Sequence, residues 1–342
     1  MKNNRNFLFY GIGSVAFGIK GNAFSWFLFF YYNIVIGLPA WMASLALAIA
    51  TIWDAISDLI IGYSSDHTKS RLGRRHPYMY AALIPVPIFF VLLWNPPTFE
   101  TDLNLFLYLL VMAILVRTFT TLFEIPNQSL GPEITREYHE RTKMMSLRYF
   151  FGWMGGTVMT IFMYFVFLKP TVDYPNGQLN PEGYQIYGFV AAFIMLAAMI
   201  ISSRGLNHLI PNLSKPAANN NFSEIKDELK STLLNKSFLV LFIGGIFAGM
   251  AAGFSSALNI FFNTFFWGFS TFQIGIVSIA AVVPGIICSM IIARVLSKSI
   301  GKKRAAIICG SIALALTPVP YALRIFELAP SFGSNGLLLM MS

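Results

Sequence analysis

The chain has 342 residues, 56% of them hydrophobic and 11% charged, where average soluble domains carry about 25% charged residues. Its apolar residues come in blocks of about 20 separated by short polar stretches, the pattern of transmembrane helices. This excludes a soluble enzyme, a disordered chain and a nucleic-acid-binding domain. The net charge of +9, from 24 Lys and Arg against 15 Asp and Glu, reads as basic loops beside a membrane.

Nine complete spans are predicted, near residues 7–36, 41–63, 77–95, 103–130, 146–168, 185–203, 237–265, 272–297 and 305–325, with the start of a tenth near Ser334. They are called spans one to nine below, and the expected class is all-α and polytopic. Span one follows Lys2 and Arg5 with no small-residue cleavage site, so it reads as a retained helix and not a signal peptide. Cys288 and Cys309 fall in different spans, so no disulfide framework or metal cluster is expected. Alternate loops are basic. The 64–76 loop carries Lys69, Arg71, Arg74 and Arg75; the 131–145 loop carries Arg136, Arg141 and Lys143; Lys298, Lys302, Lys303 and Arg304 follow span eight. The intervening loops hold only Lys169. This bias predicts a cytoplasmic N-terminus in the plasma membrane, the inner membrane of a bacterium. The polar stretch 205–235, with its Asn219–Asn221 run and an amphipathic segment from Glu224 to Leu234, divides the chain into 1–204, 205–235 and 236–342. The first part is a six-span bundle and the last an incomplete second bundle, as expected of a fragment or a truncated frame.

Ionisable residues inside spans are costly and normally face a cavity or a partner. Span one has Lys20 and Asn22 near its middle, with Trp26 on the face of Asn22. Its Gly11, Gly13, Gly18 and Gly21 are expected at close helix contacts. In span two, Asp54 and Asp58 are four residues apart, and Ser57 joins their face. Two carboxylates and a hydroxyl suit Na⁺, Li⁺ or a proton, and the two acids do not easily both ionise. An ion pair with Lys or Arg of a neighbouring span is the alternative. In span four, Arg117, Thr120, Thr121, Glu124 and Gln128 recur at spacings of three and four, one polar stripe on an apolar helix. Glu124 either accepts from a substrate hydroxyl or pairs with Arg148 of span five. Arg148 in turn either lines the site or snorkels to the interface. Asn259 and Asn263 of span seven share a face. His67, His76, His139 and His208 fall in loops and are expected to be solvated.

Four stretches are similar to one family. Trp53–Asp54–Ala55 with Asp58 and Gly62 resembles its tryptophan–acid signature, with Leu59 where proline is usual. Gly62, Asp66 and Gly73–Arg74–Arg75–His76–Pro77 fit its first basic loop. Glu124–Ile125–Pro126 with Ser129, Leu130 and Pro132 fits its fourth helix, and Glu140–Arg141–Thr142 to Arg148–Tyr149–Phe150 fits its fifth. The chain thus resembles the sodium/melibiose symporter-like family (glycoside–pentoside–hexuronide:cation symporters) of the major facilitator superfamily. That superfamily has a six-plus-six plan with a long central connection. The resemblance implies a cation site of Asp54, Ser57, Asp58 and Thr121 and substrate contacts from Glu124 and Arg148. Lys20, Asn22, Trp26 and Gln128 are added to the substrate list from their own positions, and Gly62, Asp66, Arg74 and Arg75 make a cytoplasmic gate. The family's sugar-gripping aspartate of helix one falls on Gly18, and its stacking tryptophan of helix four on Gln128. The expected function is symport of a sugar with Na⁺, H⁺ or Li⁺ by a monomer in the bilayer. The chain is expected to be no enzyme and to need no cofactor beyond the coupling cation, no further metal and no nucleic acid. The alternatives are carriage of a lysolipid or organic anion, or a fragment that does not transport.

Overall fold

A computed structural model of the chain describes residues 2–135, 137–212, 232, 234–280, 302–328 and 330. Seven helices among them are long and apolar enough to cross a membrane: Ala40–His67, His76–Trp94, Asp102–Ile134, Lys143–Phe167, Pro181–Pro211, Lys236–Phe266 and Ile307–Ile325. They coincide with predicted spans two to seven and nine. Span one is helical through Lys2–Ile12 and Ser14–Asn22, then π-helical over Ala23–Leu28 and Tyr31–Val35. Span eight is described over Thr271–Ala280. Its remainder, most of the 205–235 connection with the Glu224–Leu234 segment, and the start of a tenth span lie outside the described residues. No strand occurs among the described residues, and the all-α class holds.

The chain divides into two compact units, Met1–Thr160 with Pro181–Asn259, and Ile161–Asn180 with Ile260–Ser342. In the first unit, span two lies along span four, span three packs against spans four and six, and span one against span six. Span four starts where Thr101 caps the helix, its hydroxyl accepting from the Asn104 amide at 3.4 Å, with Asp102 in the first turn. It keeps its helical course through Pro126 and Pro132, each of which removes one intrahelical hydrogen bond. At one end of the unit Tyr31, Tyr32, Trp94 and Tyr184 are fully buried. The tyrosine hydroxyls of span one donate to the carbonyls of Trp94 (3.1 Å) and Leu93 (2.8 Å), which satisfies the polar tip of a buried aromatic ring.

Spans one and five cross closely. A Cβ on Gly18 would collide with the Gly152 carbonyl, and one on Gly156 would lie 2.7 Å from the Gly18 carbonyl oxygen. Gly155 sits equally tightly on Val15, and Gly11 on Phe151 and Leu147. Small residues let the two backbones touch, the usual means of helix association in lipid. Gly18 therefore has no room for the aspartate its family position implies. Gly21 departs from the expectation: nothing lies within 4 Å of a Cβ there, because it has rotated off the crossing face.

A repeat hidden from residue patterns appears in the helix ends. In span one the Ile36 amide donates to the Tyr31 carbonyl and the Leu38 amide to that of Tyr32, both at 2.9 Å, around Gly37 at φ 96°. In span seven the Trp267 amide donates to Phe262 and the Phe269 amide to Asn263, also at 2.9 Å, around Gly268 at φ 70°. Both are π-helical versions of a glycine-terminated helix end. Equivalent ends on spans one and seven are what a six-span repeat produces.

Replacing Gly18 by alanine is expected to cost at least about 1–3 kcal/mol of stability, because the clash is with backbone. Gly21→Ala is expected to be neutral or slightly stabilising. Thermal melts of the two purified variants in detergent check the contrast.

Candidate functional site

Within the first unit, spans one, two, four and five bring six ionisable side chains into the bundle interior. Asp54 is the junction. Its Oδ2 accepts a hydrogen bond from Arg117 Nη1 of span four and lies 3.7 Å from Lys20 Nζ of span one. Its Oδ1 accepts from the Thr121 hydroxyl at 3.2 Å. Arg117 is itself held on two further sides. Its Nη2 donates to Thr51 at 3.1 Å, and its guanidinium lies 4.9 Å from the centre of the Phe24 ring, a favourable cation–π placement. Next along span four, Arg148 Nη2 donates to Glu124 (3.3 Å) and to the Gln128 side-chain oxygen (3.2 Å). Asp58 takes part in no salt bridge among the described residues. Beside the Glu124–Arg148 pair is a cavity of about 10 Å³ lined by Ser14, Phe17, Thr120 and Asn127, room for about one water.

A second cluster joins the 64–76 loop to the end of span four. Arg75 Nη2 donates to Asp66 at 3.0 Å and Arg74 Nη1 lies 3.5 Å from the same oxygen. Both arginines also pair with Glu133, Arg75 at 2.6 Å. Arg75 further donates to the Ser129 carbonyl, an acceptor in the turn after Pro126. Glu133 is nearly buried and Asp66 is 42% exposed, so Glu133 carries the low-dielectric part of the cluster.

The predicted residues separate into two groups. Asp54, Thr121, Lys20, Glu124, Gln128 and Arg148 come together, and Asp66, Arg74 and Arg75 form the loop cluster. The pairing of Asp54 with basic side chains is the arrangement given above as the alternative to a bare acid pair. Arg148 is 8% exposed and does not snorkel. Ser57 turns its hydroxyl to the Asp54 carbonyl, 3.0 Å away on its own helix. Asn22 donates to Thr160 of span five at 3.1 Å, which ties its amide to the glycine crossing. Trp26 is half-buried on the π-helical stretch. Gly62 offers its carbonyl to Ser65, and a Cβ there would merely touch Ile125 at 3.6 Å. Asn263 is buried and Asn259 exposed. His76, expected in solvent, is fully buried, because the third span begins at that residue and packs its first turn.

Two residues were absent from the predicted site, Arg117 and Glu133. Arg117 had a legible signal, since a guanidinium at mid-span requires an acid. Glu133 had a weaker one, an acid near the end of span four opposite a loop with four basic residues.

The family comparison settles the class. A model of the family described as MFS/sugar transport protein matches residues 9–341. The chain belongs to that family. It is therefore an integral membrane protein of a transporter family, not an enzyme family. Among curated relatives, the chain is 32% identical over 217 residues to an uncharacterised symporter of Synechocystis, sll1374, a match covering 62% of this chain and 40% of that protein. It is 27% identical over 192 residues to the isoprimeverose transporter of Lactiplantibacillus pentosus, covering 56% and 39% respectively. It is 25% identical over 323 residues to the symporter YjmB of Bacillus subtilis, covering 91% and 66%. The chain thus spans about two fifths of the length of the first two.

Glu133→Gln is expected to destabilise the protein by about 3–5 kcal/mol, since it strips a nearly buried acid from two arginines. In the Glu133→Gln/Arg75→Gln double variant the loss should fall short of the sum of the single losses, by about 0.5–3 kcal/mol. Denaturation of the four proteins under one condition measures this.

Proposed function

We propose that the protein is a cation-coupled secondary symporter of a sugar or glycoside, working by alternating access in the bacterial inner membrane with its N-terminus in the cytoplasm. The observation that carries this reading is the ion-paired network of Lys20, Asp54, Arg117, Glu124 and Arg148. An unpaired charge in a membrane-embedded helix costs about 2.5–3.5 kcal/mol on insertion scales. A ligand that separates one of these pairs must therefore supply a replacement partner. A sugar does so through hydroxyls that both donate and accept, and Glu124, Gln128 and Arg148 present the matching acceptors and donors. The coupling ion, one of Na⁺, H⁺ or Li⁺, is assigned to the acids of span two and to Thr121. Binding of both ligands re-pairs the network and lowers the cost of changing state, a population shift driven by differential affinity. The Asp66–Arg74–Arg75–Glu133 cluster serves as the cytoplasmic latch.

Support comes from the family and from the isoprimeverose transporter among the relatives. One relative of Xenopus tropicalis is named a sodium-dependent lysophosphatidylcholine symporter, 28% identical over 140 residues; lysolipids belong in the same test. Purified protein in proteoliposomes should take up a labelled pentoside or hexoside faster under an inward ion gradient. Unlabelled sugars, and not lysolipids, should compete. Asp58→Asn should remove the gradient stimulation. Unchanged stimulation in that variant would refute the coupling assignment, and competition by lysolipid alone would refute the sugar.

A further inference from the structure

The span-two acid that ought to receive a coupling ion is already occupied by a cation of the protein. Both carboxylate oxygens of Asp54 are engaged, Oδ2 by Arg117 and Lys20 and Oδ1 by the Thr121 hydroxyl. A bound Na⁺ or Li⁺ needs several oxygens with free lone pairs turned to one point, and hard cations take oxygen ligands from carboxylates, hydroxyls and carbonyls. Here the Thr121 proton points at Asp54. The Ser57 hydroxyl proton points at the Asp54 carbonyl. The Thr51 hydroxyl donates to the Leu47 carbonyl and accepts from Arg117. The Asp54 carboxylate and the Thr51 hydroxyl beside it thus already turn their lone pairs to the guanidinium, while the Thr121 and Ser57 hydroxyls and the Asp58 carboxyl keep theirs.

Lys20 and Arg117 both approach the same Asp54 oxygen, so an added cation there meets two positive side chains at close range. Nor is Arg117 a loose side chain that swings aside freely. It is fixed from span two by Asp54 and Thr51 and from span one by the Phe24 ring.

We propose that Arg117 is a tethered cation that takes the place of a free alkali ion at Asp54 and makes this site select against Na⁺ and Li⁺. This deepens the symport reading and rests on it for the meaning of the site. Coupling then falls to an ion that needs no vacant oxygen cage at Asp54. The residue sets ion specificity by position and charge. Removing the guanidinium while keeping the acids should therefore create an alkali-ion site.

The test is equilibrium binding and stability, with no substrate required. Melting temperatures of the purified chain in detergent are compared in NaCl, LiCl, KCl and choline chloride at equal ionic strength, alongside direct binding of ²²Na⁺. The unmodified protein should melt at the same temperature in all four salts and bind no stoichiometric ²²Na⁺. Arg117→Gly should gain a saturable Na⁺- or Li⁺-specific rise of about 2–4 °C and bind ²²Na⁺. Adding Asp54→Asn should abolish both gains. Arg117→Lys, which keeps the charge, should stay insensitive. Stoichiometric ²²Na⁺ binding by the unmodified protein, or a Na⁺-specific rise that Asp54→Asn removes, overturns the proposal. So does a folded Arg117→Gly protein that gains nothing. If Arg117→Gly does not fold, Arg117→Gln takes its place with the same two outcomes. Loss of sugar uptake would refute the symport reading and leave these binding results standing.

Discussion

A charged side chain inside a membrane bundle must meet its counter-charge on another helix, and Asp54 is where this requirement converges. Span one reaches it with Lys20 and span four with Arg117 and Thr121. Those contacts specify the rotation and the height of three helices at once, which apolar packing against lipid-like neighbours does poorly, since lipid tails and leucine side chains are equally apolar. The glycine crossing completes the arrangement. Gly18 lies against the Gly152 carbonyl, two residues before Lys20, so the closest approach of spans one and five positions the lysine that Asp54 needs.

Span four carries the polar traffic of the first unit. Its stripe runs from Arg117 through Thr121 and Glu124 to Gln128, and Glu133 lies further along on another face with the loop arginines. Pro126 stands between Glu124 and Gln128 and deprives the helix of one internal hydrogen bond. The carbonyl of Ser129, just beyond, accepts from Arg75 of the loop cluster. Arg148 spans the proline from span five, donating to Glu124 before Pro126 and to Gln128 after it. The buried His76 is adjacent in sequence to Arg75 and fully enclosed.

Much of the architecture is legible in the sequence. Apolar blocks give helices their length, and among the described residues spans two to seven and nine appear where hydropathy put them. The i and i+4 acids of span two and the polar stripe of span four were visible because helical period alone sends those residues to one face. The pairing was not legible. Period places Arg117 and Glu124 on the stripe, but it does not say which acid receives the guanidinium or whether Arg148 turns inward. Asn22 illustrates the limit. Its position near Lys20 suggested a shared role, yet the crossing with span five claims it for Thr160. The common end of spans one and seven escaped detection because it lives in backbone hydrogen bonds and a glycine φ, with almost no shared side chains.

By itself the sequence determined that this is a helical membrane protein of a transporter family with acids in the first six spans, because hydrophobic length, periodicity and local motifs are properties of neighbouring residues. Only the tertiary structure decided that Asp54 is met by Arg117 and Lys20, that Glu133 anchors the two arginines of the 64–76 loop, and that Gly18 excludes a side chain. Each of these joins residues on different helices. Which partner a buried charge finds depends on the distance and rotation between helices, and those emerge only when the bundle packs.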